Sequence, residues 1–244
     1  MKDNLLLVLL ILTVINPLPL HGQKNCCCGF PDDNISQPYL SGEFFLPDQQ
    51  LDTLTYFSNA WLAGDIKLTD GAFVRNKLLK YNGLLDELFW LEDESKRTIK
   101  LDKEAIQQFL FRDHQHHTSA YFEKITVRPD IISDSVDIFG EVVCRDKVSL
   151  YQFHAYMVEG REQYYREGVA YQKVIYAPQP VYYFRFMNNK TVGLKELNRK
   201  SLYALMPGTK KEINQFFREN EPGKYKDRVW LILLTRFLST LKQP

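Results

Sequence analysis

The sequence predicts an α+β protein, mostly β, with two antiparallel β-rich units followed by a helical end. Short stretches that alternate polar and apolar residues are bounded by turn pairs such as Asp70-Gly71 and Asn82-Gly83, which indicates β-hairpins. A helical period of apolar residues begins only after residue 197. We therefore expect a small antiparallel β-meander or barrel-like unit first, then a second antiparallel sheet capped by C-terminal helices.

Residues 1–22 are predicted to be a secretory signal peptide. A weakly basic start with Lys2 precedes the apolar run Leu5–Ile15, and a prolyl stretch ends at Gly22. As a helix this run spans roughly 16 Å, about half of a bilayer core, so it suits cleavage and export better than anchoring. The predicted location is the periplasm, the outer-envelope surface or the extracellular space.

The first β-rich unit is predicted at 53–112. Before it, residues 23–52 are rich in turn formers and are predicted to be an irregular leader segment. Within the unit, alternation and turn pairs predict strands at 65–69, 72–81, 87–91, 98–101 and 106–111.

A polar linker at 113–119 separates this unit from a second one at 120–197. Alternation there predicts strands at 120–127, 138–145, 149–158, 169–176, 181–187 and 191–194. Tyrosine and phenylalanine are dense from Tyr151 to Phe186, which favours a sheet packed on one side and wet on the other, with a binding face as the alternative.

The C-terminal part, 198–244, is predicted to form three helices packed on the second unit. Asn198 and Thr209 are expected to cap the first two, and an apolar stripe predicts the third at 227–241. Between residues 195 and 242 there are 11 Lys and Arg against 5 Asp and Glu. A solvated helical face is the favoured interpretation of this excess, and contact with an acidic surface is the alternative.

The overall composition argues against two classes of protein. A net charge of +1 argues against a nucleic-acid binder. The longest later apolar run, 229–234, is too short for a membrane span, so no transmembrane segment is expected in the mature chain.

Four cysteines raise the question of disulfides and metal ligation. Cys26, Cys27 and Cys28 follow the predicted signal peptide, and export would permit one of them to pair with Cys144. Residues 23–25 do not fit a lipoprotein signal before Cys26. Adjacent cysteines point apart, which disfavours a zinc site.

His114, His116 and His117 are the best candidate metal ligands. His114 and His116 would share one side of an extended chain, with Asp113 or His154 completing a site. A solvated linker that contains histidines is the favoured interpretation. The Gly-x-Ser-x-Gly motif of hydrolases is absent from the sequence, which argues against that class of enzyme. No cofactor is predicted, because the Walker and dinucleotide fingerprints are absent too.

Three blocks carry a resemblance to a known family. Trp61 to Gly71, then Leu78 to Asn82 with Asp86 to Leu88, then Ile106 to Phe109, resemble a family of uncharacterised exported proteins of Bacteroidota. Val148 to Tyr151 and the basic helical tail resemble the rest of that family. The resemblance implies an exported location and a β-rich fold, and it implies no activity.

Together these features predict a non-catalytic binding or structural component of the cell envelope. Its expected partners are proteins or other envelope components, contacted by the tyrosine-rich second sheet and the basic helices. The alternative is a metal-binding protein or enzyme that uses the region of His114, His116 and His117.

Overall fold

The computed structural model describes residues 40–46, 55–113, 118–128, 134–223 and 227–241. These residues form thirteen strands and three α-helices. The strands of the first part are β1 (Gly42–Phe44), β2 (Leu62–Leu68), β3 (Phe73–Asn82), β4 (Glu87–Leu91), β5 (Thr98–Leu101) and β6 (Ile106–Asp113). The later elements are β7 (Thr118–Val127), β8 (Val136–Cys144), β9 (Ser149–Phe153), β10 (Tyr156–Arg166), β11 (Val169–Pro178), β12 (Val181–Arg185), β13 (Thr191–Leu194), α1 (Arg199–Leu205), α2 (Lys210–Glu219) and α3 (Asp227–Thr240).

Eleven of the strands build one open antiparallel sheet. Their order is β1-β5-β4-β3-β2-β6-β7-β8-β9-β12-β13, with β1 and β13 at the edges. The sheet passes without interruption from β6 to β7, whose register includes Asp113↔Thr118. The prediction of a mostly β, antiparallel α+β fold is therefore confirmed, and in the described chain the first strands continue into the larger sheet rather than closing on themselves.

Both faces of the central strands are buried, because their apolar residues are continuous. Phe109, Phe122 and Phe139 belong to a core on one face, with Tyr81 among its members. Their sequence neighbours Leu110, Tyr121 and Ile138 belong to a second core that includes Tyr151. Since successive side chains of a strand point to opposite faces, the two cores lie on the two sides of one sheet.

The three helices cover the C-terminal end of the sheet, as the sequence predicts. Leu202, Ile213 and Leu234 pack with Leu150 and Phe184 of the sheet in a third core. Asn198 caps α1, since its side chain accepts a hydrogen bond from the Ser201 N–H at 2.9 Å. The predicted cap of α2 is wrong in its chemistry: the Thr209 hydroxyl donates to the Met206 carbonyl at 2.8 Å and caps no helix N–H.

Two strand predictions differ from the structure in an informative way. The predicted strand 149–158 breaks at His154 and Ala155, and the chain leaves the large sheet there. The residues after the break continue as β10 to Arg166, well beyond the predicted end. The segment predicted as irregular, 23–52, includes β1, which pairs with β5 at the edge of the sheet.

Candidate binding surface

Residues 156–178 form a separate two-stranded hairpin, here called the arm. β10 and β11 pair antiparallel through ten residue pairs, from Tyr156↔Pro178 to Arg166↔Val169, and make their own sheet. At about 3.3 Å per residue, the arm is roughly 33 Å long. Within the described part of the chain, neither of its outer edges pairs with another strand.

The local sequence explains why the chain forms a hairpin here. Glu167 and Gly168 join the strands with positive φ at both positions, 53° and 80°. Two such residues form the tight turn whose twist matches a β-hairpin, and glycine adopts this conformation without strain. The opposite end of the arm, at Tyr156 and Pro178, is called its base. Near the base the register shifts between Val158 and Gly160, so Glu159 is a bulge residue that adds twist.

The arm displays an unusual share of the exposed apolar surface. Twelve large hydrophobic residues of the described chain are exposed, and six of them lie in the arm. Among the six in the arm, Tyr165 is the most exposed, at 72%. The six are Met157, Val158, Tyr164, Tyr165, Val169 and Tyr171. A large side chain has roughly 150–200 Å² of accessible surface. Since each of the six is about half exposed, together they expose on the order of 500 Å² to solvent.

The two faces of the arm differ in chemistry. Tyr164 and Tyr171 are cross-strand neighbours whose rings stack at 5.5 Å between centroids and 19° between planes. Glu162 and Arg166 flank Tyr164 on this stacked face, because residues two apart on a strand share a face. The opposite face carries Arg161, Gln163 and Tyr165 on β10.

The base of the arm is held against the large sheet by close backbone packing. A Cβ atom on Gly83 would lie 2.4 Å from the His154 carbonyl oxygen and 3.0 Å from Cε2 of Tyr156. The Gln179 N–H donates to the Ala155 carbonyl at 2.8 Å, which ties the two ends of the arm together. Position 83 therefore admits only glycine without displacement of the arm's base.

A charged cluster lies beside this base and reaches the helical layer. His154 Nε2 lies 2.8 Å from Oε2 of Glu141, a β8 residue that is 5% exposed. Arg228 of α3 binds the same carboxylate and donates to the Val142 carbonyl at 3.3 Å. Burial alone would raise the pKa of Glu141, but the hydrogen bond with His154 and the charge of Arg228 outweigh it and lower that pKa.

The His154 ring is enclosed by aromatic side chains. It meets Phe57 edge to face with ring centroids 5.3 Å apart, and it lies 5.8 Å from the ring of Phe122. The imidazole thus lies between a buried carboxylate and the aromatic core. This cluster fixes the position at which the chain turns from β9 into β10.

Other buried carboxylates are also committed to structural pairs. Asp65, which is fully buried, binds Arg112, and Asp86 binds Lys103. In each case the partner comes from a different strand or turn of the sheet, so the pair joins distant parts of the chain. Removing one partner of such a pair would leave the other buried without its counterpart, which suits a structural role.

The predicted metal ligands fall mostly outside the described residues. His114, His116 and His117 lie in 114–117, and Cys26, Cys27 and Cys28 lie before residue 40, so neither the histidine site nor a disulfide to Cys144 is tested. Cys144 is buried at the end of β8. Within the described ranges, no three His, Cys, Asp or Glu residues come together as a metal site.

The aromatic residues of the tyrosine-rich region differ widely in exposure. Tyr151, Phe184 and Phe186 are buried in the large sheet, as expected for packing residues. Tyr164, Tyr165 and Tyr171 are exposed on the arm. The signal that separates them in the sequence is the charge around the second group, since Glu159 to Gln163 contains no apolar side chain.

The cations of α1 and α2 are exposed at the surface of the helical layer. Lys210 lies 5.5 Å from the Tyr203 ring centroid, and the Arg199 guanidinium lies 5.4 Å from that of Phe217. Lys200, Lys211 and Arg218 are exposed. The exposed cations agree with the favoured interpretation of a solvated helical face.

None of the described helices has the length and apolar character that crossing a membrane requires.

Known proteins give no assignment for this fold. Comparison with protein-family models, with curated proteins and with solved structures finds no match.

Proposed function

We propose that this chain is an exported, non-catalytic binding or structural component of the cell envelope, and that the arm is its contact surface. The observation that carries the proposal is the concentration of exposed large hydrophobic residues on a projecting hairpin. Export follows from the predicted signal peptide at 1–22. The resemblance to exported proteins of Bacteroidota supports the same location.

The energetics of the arm support a binding role. Side chains in the arm contribute to none of the three buried cores of the large sheet and the helices. An isolated two-stranded hairpin is marginally stable in water. The exposed tyrosines therefore add little to the stability of the arm while it is unbound. Clustered exposed apolar side chains on a soluble domain are characteristic of interaction sites.

The composition of the arm also resembles that of protein interfaces. Tyrosine and arginine are the residue types enriched in interface hot spots, and the arm contains five tyrosines and two arginines between residues 156 and 178. Tyrosine offers a large rigid apolar area and a hydroxyl that tolerates water, so the arm stays soluble before it is covered.

A binding experiment with matched variants tests the proposal. The purified protein, immobilised, is incubated with envelope fractions, and the retained partners are quantified. The combined variant Tyr164→Ser, Tyr165→Ser and Tyr171→Ser should lower specific retention about tenfold or more, the change produced by loss of a central hot spot. The control, Leu46→Ser with Met187→Ser and Val229→Ser, removes exposed hydrophobics outside the arm and should retain partners normally.

The two variants also separate binding from folding. Both remove exposed side chains, so their free energies of unfolding should stay within about 1 kcal/mol of the wild type. Equal retention by the wild type and the arm variant would refute the assignment of the arm. Failure of the wild type to retain any component reproducibly would refute the binding role itself.

A further inference from the structure

The two open edges of the arm differ in the charge that they carry. β10 includes Glu159, Arg161, Glu162 and Arg166, whereas Lys173 is the one charged residue of β11. An edge with both signs of charge can complement a copy of itself. An edge with a single lysine cannot, because antiparallel pairing of two copies brings like charges together or leaves them unmatched.

The hairpin geometry determines which backbone groups are available on the β10 edge. Arg166 and Val169 bracket a two-residue turn, so they form the hydrogen-bonded pair that closes such a hairpin. Hydrogen bonding alternates along an antiparallel ladder, so Tyr164 and Glu162 also bond inward to β11. Tyr165, Gln163 and Arg161 therefore direct their N–H and C=O groups outward.

We infer that two copies of this chain associate by antiparallel pairing of β10 with β10, centred on Tyr164, to form a four-stranded sheet. This inference rests on the proposed role of the arm as a contact surface. In this register Gln163 faces Tyr165 of the second copy and exchanges the outward backbone hydrogen bonds with it. Tyr164 faces Tyr164 of the second copy on the stacked face.

The charges match in this register. Glu162 lies directly opposite Arg166 of the second copy, and the two-fold symmetry makes this pair twice. Arg161 lies beside the turn of the second copy, which carries Glu167, again twice. Within the arm Glu162 is already opposite Lys173, so the added arginine gives its carboxylate a cation on both sides. The four rings of Tyr164 and Tyr171 would then form one continuous row across the sheet.

Neighbouring registers are less favourable. The residues whose N–H and C=O groups point outward on one copy must face the corresponding residues of the other copy. The register can therefore shift only between alignments that preserve this match. If the two-fold axis passes through Glu162, the Glu162 carboxylates of the two copies face each other. If it passes through Gln163, Glu162 faces Tyr164 of the second copy. The centre at Tyr164 is therefore the register that pairs opposite charges directly.

Edge pairing also explains why both faces of the arm carry apolar side chains. A partner laid flat on the arm would cover Tyr164 and leave Tyr165 in water, or the reverse. A strand added at the edge extends both faces together. The overlap, residues 161–167 of each copy, is small beside the roughly 800 Å² per partner of a standard interface, so we expect dimerisation in the range of about 10–100 μM.

Sedimentation equilibrium on single charge reversals and their mixture tests the inference. The purified protein is measured between about 5 and 200 μM with reductant present, so that cysteines cannot link the chains. The wild type should show a concentration-dependent dimer. Glu162→Arg and Arg166→Glu, each alone, oppose like charges twice and should raise the dimer dissociation constant about tenfold or more.

The mixture of these two variants is the decisive sample. In the heterodimer the arginine introduced at position 162 would face the glutamate introduced at position 166, while the native Arg166 and Glu162 would face each other. Dimerisation should therefore return to within about threefold of the wild type. Glu159→Arg, with the same change of charge outside the overlap, should dimerise as the wild type does. A monomeric wild type at 200 μM, no restoration in the mixture, or equal loss in Glu159→Arg would overturn the inference.

These outcomes are distinguishable from failure of the proposed function. Retention of an envelope component that requires Tyr164, Tyr165 and Tyr171, together with a monomeric wild type, would leave the arm as a binding surface for another molecule. It would refute only the second copy as the partner.

Discussion

Replacement of Asp86 should be the most destabilising change in the turn that joins β3 to β4. Its carboxylate accepts hydrogen bonds from the Tyr81 hydroxyl at 2.7 Å and from the Phe139 N–H at 3.1 Å, and it pairs with Lys103. Tyr81 and Phe139 are fully buried, so Asp86→Ala leaves two buried donors without their acceptor. The side chain of Asp86 thus holds the turn to β8, which is remote in sequence.

The magnitude follows from these contacts. Each orphaned buried donor costs about 1–3 kcal/mol. The lower end applies to the Tyr81 hydroxyl, because the Phe139 carbonyl lies 3.4 Å away as a weaker acceptor. Asp86 has φ of 55°, and alanine in this left-handed region adds about 1 kcal/mol. The free energy of unfolding of Asp86→Ala should therefore fall by about 3–5 kcal/mol.

Two matched variants separate the contributions. Asp86→Asn keeps an acceptor oxygen and tolerates positive φ, and it removes a buried charge whose pKa is raised by desolvation. It should cost about 1 kcal/mol. Tyr81→Phe removes one donor and should also cost about 1 kcal/mol. In the Asp86→Ala background the Tyr81→Phe change should cost less, because the hydroxyl it removes is no longer well bonded.

Urea unfolding followed by circular dichroism, with the slope m compared between variants, measures these differences. A loss below about 1 kcal/mol in Asp86→Ala at unchanged m would refute the interpretation of Asp86 as a buried acceptor. Equal losses in Asp86→Asn and Asp86→Ala would show that the charge, and not the hydrogen bonds, stabilises the turn.

Two further predictions concern the base of the arm. The folded pKa of Glu141 is lowered, so its contribution to stability is present above the unfolded pKa of about 4.3 and is lost as the pH falls through the folded value. Unfolding free energies should therefore decline more steeply below about pH 4.3 in the wild type than in Glu141→Gln, and parallel curves would contradict this. Gly83→Ala should cost about 1–3 kcal/mol because its Cβ would meet the His154 carbonyl, whereas Gly160→Ala, with open space around it, should be nearly neutral; equal costs in urea unfolding would contradict the packing argument.

Local signals in the sequence account for the parts of the fold that it predicts well. Glu87–Leu91, Thr98–Leu101 and Thr191–Leu194 have the predicted bounds, because each lies between turn residues with strong conformational preferences. The side chain of Asn198 begins α1 for an equally local reason. Turn chemistry acts over a few residues, so it determines hairpins and caps reliably.

Pairing between distant segments is not encoded in such signals. β2 pairs with β6 through contacts such as Ile66↔Phe109, and the intervening chain forms three other strands. β2 alternates polar and apolar residues from Asp65 to Leu68, and β6 has apolar residues at 106, 109, 110 and 111. Such patterns indicate strands, but they are compatible with several neighbours. The central position of β2 therefore depends on the packing of the whole sheet.

The second strand of the arm was predicted at 169–176, close to its observed bounds, whereas the first was predicted only to residue 158. A strand that is exposed on both faces has no alternation of polar and apolar residues, so Glu159 to Gln163 indicates a loop. The pair Glu167-Gly168 was the available signal, since a glycine after a polar residue between two tyrosine-containing stretches is typical of a hairpin turn. The cluster at His154 had a signal too: Glu141 is a carboxylate inside the apolar strand β8, and a buried carboxylate requires a cationic partner.

Contacts at the base of the arm fix its direction in the isolated chain. Gly83 packs on the backbone of His154, the carboxylate of Glu141 holds the imidazole, and Arg228 connects that carboxylate to α3. The base is therefore tied to the large sheet and to the helical layer at once, and the ladder of ten residue pairs carries this constraint to Tyr164. Association costs less free energy when a surface is already ordered. A strand that pairs with β10, as proposed, would therefore add to an edge that folding has already ordered. Loosening the base should consequently weaken the proposed pairing, although the base lies outside residues 161–167, which that pairing would involve.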